Sequence, residues 1–197
     1  MTAGRTATES AVRPPMVGVV AAAAGGLSGL RIGLVEPVLA RGWRVGVTLT
    51  PTAARWLTAI GEVEALAAAT GFPVRSESRL PEEPRPHPPV DCYVLAPASA
   101  NTVAKLALGI GDNQALTQVG EALGDVRVPV VVSPRVNAAQ ARHPAWSGHL
   151  AALRLAGARL VDGAGEFPLT EPADEPERGL PWSSVLAAVV EAVDARK

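Results

Sequence analysis

The feature that most narrows the fold is a rhythm. Short, Val-rich apolar runs recur along the chain, and small or polar residues and then a helical pattern follow nearly every one. The runs are Met16 to Ala24, Trp43 to Leu49, Val90 to Ala96 and Val128 to Ser133, with a short one at Arg159 to Val161. Runs of this length without polar alternation read as strands buried on both faces. Between them lie an amphipathic stretch ending at Ala40, then Ala53 to Ile60, Glu62 to Thr70, a helix from near Asn101, one that Asp112 caps and that runs to Leu123, and Pro144 to Ala156. Trp182 to Ala195 is a final helix. Strands alternating with helices need crossover connections, so the sheet is mostly parallel with helices on both faces.

The remaining segments are punctuation. Leu80 to Pro89 carries five prolines and must be irregular and extended. Phe72 to Arg75 is a candidate short strand, Pro134 to His143 is irregular or weakly helical, and Gly163 to Gly179 is a Pro/Glu-rich loop. The 197 residues fit one domain over 16–197. The polar stretch 1–15 lacks the apolar core of a signal peptide and reads as a disordered tail.

Composition excludes several classes. The net charge is −1 and no basic stripe is visible, which argues against nucleic acid as partner. No apolar run reaches membrane-spanning length, so a cytoplasmic protein without a membrane partner is expected. The single cysteine, Cys92, lies in a strand run and can build neither a disulfide framework nor a Cys-based zinc site. No metal site is expected.

In a parallel sheet all strand C-termini share one edge, which is where ligands bind. Four such ends carry suitable groups. Gly25-Gly26-Leu27-Ser28-Gly29 offers backbone amides, a hydroxyl and a helix start, a set suited to phosphate but also to a plain tight turn. Thr50-Pro51-Thr52 places two hydroxyls at a helix start, with Thr50 the N-cap and Pro51 the first helical residue. Ala96-Pro97-Ala98-Ser99-Ala100-Asn101-Thr102 offers hydroxyls and an amide that both donates and accepts. Ala98 and Ala100 leave room there for a flat ring. Ser133-Pro134-Arg135-Val136-Asn137 and the following stretch to His143 hold Asn137, Arg135 and Arg142, groups able to grip an anionic substrate.

With those residues in view, the chain resembles the flavoprotein family that contains the homo-oligomeric flavin-containing cysteine decarboxylases. Relatives there include phosphopantothenoylcysteine decarboxylase, the lantibiotic peptidyl-cysteine decarboxylases and, more distantly, flavin prenyltransferase. The likeness spans roughly Val17 to Asp162. Ala96 to Thr102 fits the family's Pro-Ala-Ser-Ala-Asn-Thr motif. Leu49 to Ala54 resembles its second-strand phosphate turn, and Gly109-Ile110-Gly111-Asp112-Asn113 resembles its Gly-Ile-Ala-Asp-Asn stretch. Ser133 to His143 stands where the family has Pro-x-Met-Asn-x-x-Met-Trp.

The resemblance implies a flavodoxin-like (Rossmann-type) three-layer α/β/α fold and FMN as cofactor. It implies a homotrimer, or an assembly of trimers, with FMN between subunits. Gly25, Gly26, Ser28, Thr50 and Thr52 would hold the phosphate. Ala98, Ser99, Asn101 and Thr102 would face the flavin or the substrate. Asn101 and Asn137 would hold the substrate carboxylate, with Arg135 and His143 as further substrate contacts. The implied chemistry is oxidation of a C-terminal or pantetheine-linked cysteine, then loss of CO₂ to give an enethiol. Three departures stand out. The family's His lies about eight residues before the strand-opening Asp, here Asp91, and that position is Glu83. The nearest histidine, His87, is the candidate base. The first loop lacks Gly-Ser-Ile, and the clamp lacks both Met residues. A non-catalytic flavin-binding or regulatory subunit, or a flavin-dependent redox or prenyl-transfer protein, are the alternatives.

Overall fold

A computed structural model of the chain describes residues 13–161, 169–172 and 179–196. The expected tail over 1–12 and most of the Pro/Glu-rich loop lie outside the described residues. Five strands, β1 (Met16–Ala21), β2 (Arg44–Leu49), β3 (Cys92–Ala98), β4 (Val130–Pro134) and β5 (Arg159–Leu160), form one parallel sheet in the order β2-β1-β3-β4-β5. The chain winds from β1 outward to β2, then crosses back to β3 on the other side. That order is flavodoxin-like, and its crevice opens at the C-terminal ends of β1 and β3.

Strand periodicity sorts the core into two layers. Val17, Val19 and Ala21 of β1, with Val45, Val47 and Leu49 of β2, face one layer. That layer is closed by α1 (Glu36–Leu39), α2 (Pro51–Thr58), α3 (Glu62–Thr70) and α8 (Trp182–Asp194). Val20, Leu95, Val130 and Val132 face the other layer. There α4 (Ala100–Ala107), α5 (Gln114–Gly124) and α7 (Trp146–Leu155) cover them, while the four-residue α6 (Ala138–Ala141) lies at the sheet edge.

Local chemistry sets the helix starts. Thr50 caps α2, its Oγ1 accepting from the Ala53 amide at 3.4 Å, and Pro51 follows as the first helical residue. Ser99 caps α4 in the same way. Asn113 rather than Asp112 caps α5, its Oδ1 accepting from Leu116 N at 3.1 Å. Asp112 is drawn instead to Lys105.

The expected amphipathic helix before Ala40 is broken into a 3-10 turn (Leu27–Gly29), a π-helical stretch (Arg31–Val35) and α1. Pro37 has no N–H to give Gly33, so regular α bonding cannot run through this point. Gly29 and Gly33 instead leave room for Trp182, whose Cγ would lie 2.4 Å from a Cβ at Gly33. The candidate strand at Phe72 to Arg75 reduces to a single bridge, Thr48 to Arg75.

The opposite edge of the sheet is pinned by one carboxylate. Asp91 accepts from both Arg13 guanidinium nitrogens (2.8 and 2.7 Å), from Met16 N (2.8 Å) and from Arg196 (3.1 Å). Burial alone would raise its pKa, but the Met16 amide and Arg13 outweigh it and hold Asp91 below the usual range. Arg13 and Pro15, placed in the tail by sequence, are thus tied to the sheet: Pro15 O also accepts from Arg44 N.

Candidate functional site

Three backbone hydrogen bonds stitch the four loops into one edge. Thr50 N donates to Ala21 O (2.9 Å), Ala22 N to Pro97 O (2.9 Å), and Arg135 N to Ala98 O (2.8 Å). The ends of β2, β1, β3 and β4 therefore stand side by side. At the end of β3 the Ala96–Pro97 peptide is cis, and the ladder to β4 shifts register between Leu95 and Ala98.

The first two loops make an anion-ready corner. Gly26 sits at φ 84°, a conformation glycine adopts without strain. Among the described residues, the Gly25 and Gly26 amides have no hydrogen-bond acceptor. Ser28 and Thr52 are exposed, whereas the buried Thr50 spends its hydroxyl on the cap. Arg135 reaches this corner too: a Cβ at Gly25 would lie 3.3 Å from its Nε. Its guanidinium thus lies beside the glycine turn at the same strand edge.

The third loop divides into support and display. Ala98 is fully buried, and its carbonyl anchors Arg135. Thr102 is 3% exposed and bonds Ser99, Oγ to Oγ1 at 2.9 Å. Asn101, at the second position of α4, is exposed.

In the fourth loop Asn137 caps α6. Its Oδ1 accepts from Gln140 N (2.8 Å), and Gln140 Oε1 accepts from Asn137 N (3.1 Å). This capping box orients the Asn137 amide and leaves its Nδ2 donors available. His143 Nδ1 accepts from Ala145 N at 3.2 Å, so the neutral ring carries its proton on Nε2. Asn137 and His143 line a groove of about 420 Å³ together with Trp146, His149, Ala100 and Ala104. Arg142 is held in a two-pronged pair by Glu171 (2.6 and 2.8 Å).

His87 lies elsewhere. It lines a second cavity, of about 570 Å³, on the sheet face beneath the Pro-rich segment. Its ring sits on β2, where a Cβ at Gly46 would fall 2.8 Å from its Cγ. Its Nε2–H donates to Pro73 O at 2.8 Å, and Phe72 meets it edge-on. Burial lowers its pKa, with Arg75 acting in the same direction against the Pro73 bond. Cys92 is buried at the start of β3, and burial pushes its thiol up to about 12. A thiol so placed stays protonated and unreactive.

Sequence reasoning did not find Trp146 and His149 as groove walls. They stand three residues apart in the first turn of α7, a spacing indistinguishable from ordinary helix patterning. Leu180, 2.9 Å from a Cβ at Gly26, likewise comes from far along the chain.

Comparison with known proteins places this edge in context. A curated cysteine/cysteine sulfinic acid decarboxylase from an unknown prokaryotic organism is 38% identical over 78 residues, which are 39% of this chain and 21% of that protein. The phosphopantothenoylcysteine decarboxylase of Oryza sativa subsp. japonica is 42% identical over 71 residues, 36% of this chain and 31% of that protein. The chain thus spans only about a fifth to a third of the length of these curated relatives. The crystal structure of the FMN-dependent cysteine decarboxylase TvaF from thioviridamide biosynthesis superposes with a TM-score of 0.67 at 24% identity, covering 91% of this chain and 98% of that one. HAL3 from Cryptococcus neoformans gives 0.66 at 18% identity, covering 93% and 99%. Both have the same fold as this protein. The profile of the Flavoprotein family matches residues 8–194, nearly the whole chain, and the chain belongs to that family.

Proposed function

We propose that the chain binds FMN at the four-loop edge and acts as a decarboxylase-like enzyme on a small or peptidyl carboxylate of the cysteine type. The observation that carries this reading is the row of three backbone hydrogen bonds that gathers the four loops at the switch point. The donor set there fits a phosphate monoester: glycine amides without an acceptor among the described residues, the Ser28 and Thr52 hydroxyls, and Arg135 over Gly25. Membership of the Flavoprotein family and the FMN-dependent cysteine decarboxylase among the neighbours support the same cofactor and substrate class.

In this reading Gly25, Gly26, Ser28 and Thr52 hold the phosphate end, and Thr50, capping α2, positions the turn that carries Thr52. Ser99 and Asn101 face the ring, while Ala98 and Thr102 fix the turn from beneath. Bound FMN would supply the two-electron oxidation of the thiol-bearing carbon that allows CO₂ to leave. The chain's own part is grip and orientation. Asn101 and the oriented Nδ2 of Asn137 donate to the substrate carboxylate, and His143 Nε2–H donates from across the groove. The protein works as a homotrimer or an assembly of trimers in the cytoplasm.

The test has two steps. Purified protein titrated with FMN should hold it, read by visible absorbance, and should release CO₂ from cysteine-terminated peptides or phosphopantothenoylcysteine. Light scattering should give a trimer mass or a multiple of it. The tie of His87 to Pro73 O favours a second reading, a flavin-binding regulatory subunit without turnover. Bound FMN with no CO₂ from either substrate selects it.

A further inference from the structure

The cavity under the Pro-rich segment belongs to none of the machinery above except through His87. Its floor is unusual. Gly46, Gly18 and Tyr93 stand in one row across β2, β1 and β3, paired in register. The two glycines remove side chains that would clash. A Cβ at Gly18 would lie 2.5 Å from the Tyr93 ring, and one at Gly46 would lie 2.8 Å from His87. The rings of Tyr93 and His87 therefore lie close against the sheet at the two glycines, and α5 and the Pro-rich segment line the space beside them.

The walls carry unbalanced chemistry. Arg75, Arg79 and Arg85 face the cavity against one carboxylate, Glu121. Arg75 and Arg79 bond within their own segment: Arg75 to Glu77 O and, at 3.9 Å, to the Glu83 carboxylate, and Arg79 to Leu80 O, Pro81 O and Glu83 O. Arg85 makes no hydrogen bond or ion pair with any described residue. On the opposite wall the Gln118 Oε1 is buried with no hydrogen-bond partner. A buried acceptor left unpaired costs its desolvation, so it points to a donor that the described residues do not bring.

We propose that this cavity is a binding site for a small anionic metabolite, a phosphate or carboxylate that also carries a hydroxyl or N–H donor. Arg85 pairs with the anion, with Arg75 and Arg79 supplying background positive charge. The donor satisfies Gln118 Oε1, and the Tyr93 and His87 rings form the floor beneath the ligand's carbon atoms. The site is separate from the four-loop edge and does not rest on the flavin reading.

The experiment uses the full-length protein with FMN in excess, and glycerol 3-phosphate as probe, read by titration calorimetry. One molecule should bind per chain, more weakly at high salt, while glycerol alone gives no heat. Arg85→Ala should weaken binding by about tenfold or more, as expected for loss of a charge-assisted hydrogen bond. Gln118→Met should weaken it too, and should raise the melting temperature of the ligand-free protein by removing the orphaned acceptor. Absorbance of bound FMN should be the same in both variants as in the parent. Absence of binding overturns the proposal. So does displacement of FMN by the probe, which would put the anion at the sheet edge. Affinity unchanged in both variants overturns it as well.

Discussion

The C-terminal edge of the sheet and the sheet face under the Pro-rich segment share three strands, β1, β2 and β3, and the edge adds β4. They differ in how their polar groups are arranged. At the edge, each loop follows directly on a strand and opens a helix, so backbone geometry alone delivers amides, hydroxyls and the Asn101 side chain to one place. On the face, the polar groups come from a proline-rich segment and from α5, and only the Gly18 and Gly46 vacancies let them close over the strands. The edge is thus a consequence of topology, whereas the face depends on long-range fit. An edge of this kind tolerates changes in its scaffold, and a fitted face does not.

The largest expected effect separates display from support at the edge. Asn101→Ala should lower CO₂ release from cysteine-terminated peptide by roughly a hundredfold or more, the scale of losing one positioned donor. FMN absorbance should stay near the parent's, because Asn101 caps nothing. If turnover survives, Asn101 is not part of the substrate grip. Next in size is Gly18→Val, which forces a β-branched side chain into the Tyr93 ring. Overpacking of this kind costs about 1–3 kcal/mol, and a urea midpoint shift should show it. The same substitution at Gly120, which has open space around its Cβ position, should shift the midpoint far less.

Ser99→Ala sharpens the comparison from the other side. It removes the α4 cap and the partner of Thr102, at a cost of about 1 kcal/mol. The smallest effect is a pH dependence. His87 has a lowered pKa in the fold, chiefly through burial, so the unfolded chain binds the proton more readily. Its contribution to stability is complete above the unfolded value of about 6.5. It is lost as pH falls through the lower folded value. His87→Gln should flatten the fall in unfolding free energy over that acidic range. An unchanged slope would mean that other groups set it.

Much of the edge could be read directly from the sequence, because its signals are local. Val-rich runs named the strands, and Thr50-Pro51 named a helix start that the structure reproduces. The choice between Asp112 and Asn113 as the α5 cap was not legible, since Lys105 decides it by drawing Asp112 away. Pro37 stood in plain view, but the packing of Trp182 into the space left by Gly29 and Gly33 joins residues about 150 positions apart and leaves no local trace. The burial of Ala98 and Thr102 was hidden for a related reason: a motif names residue types but not which way each one faces. The placement of His87 on Gly46 needed the β1–β2 register and the path of five prolines together. Neither leaves a periodic trace.

Whether the four-loop edge holds FMN is decided by a stoichiometric titration of the purified protein with FMN. Binding should saturate at one FMN per chain, with affinity falling at least about tenfold in a Ser28→Ala/Thr52→Ala double variant as hydrogen bonds to the charged phosphate are lost. Failure to bind FMN, or binding that the double variant leaves unchanged, would contradict FMN binding at this edge.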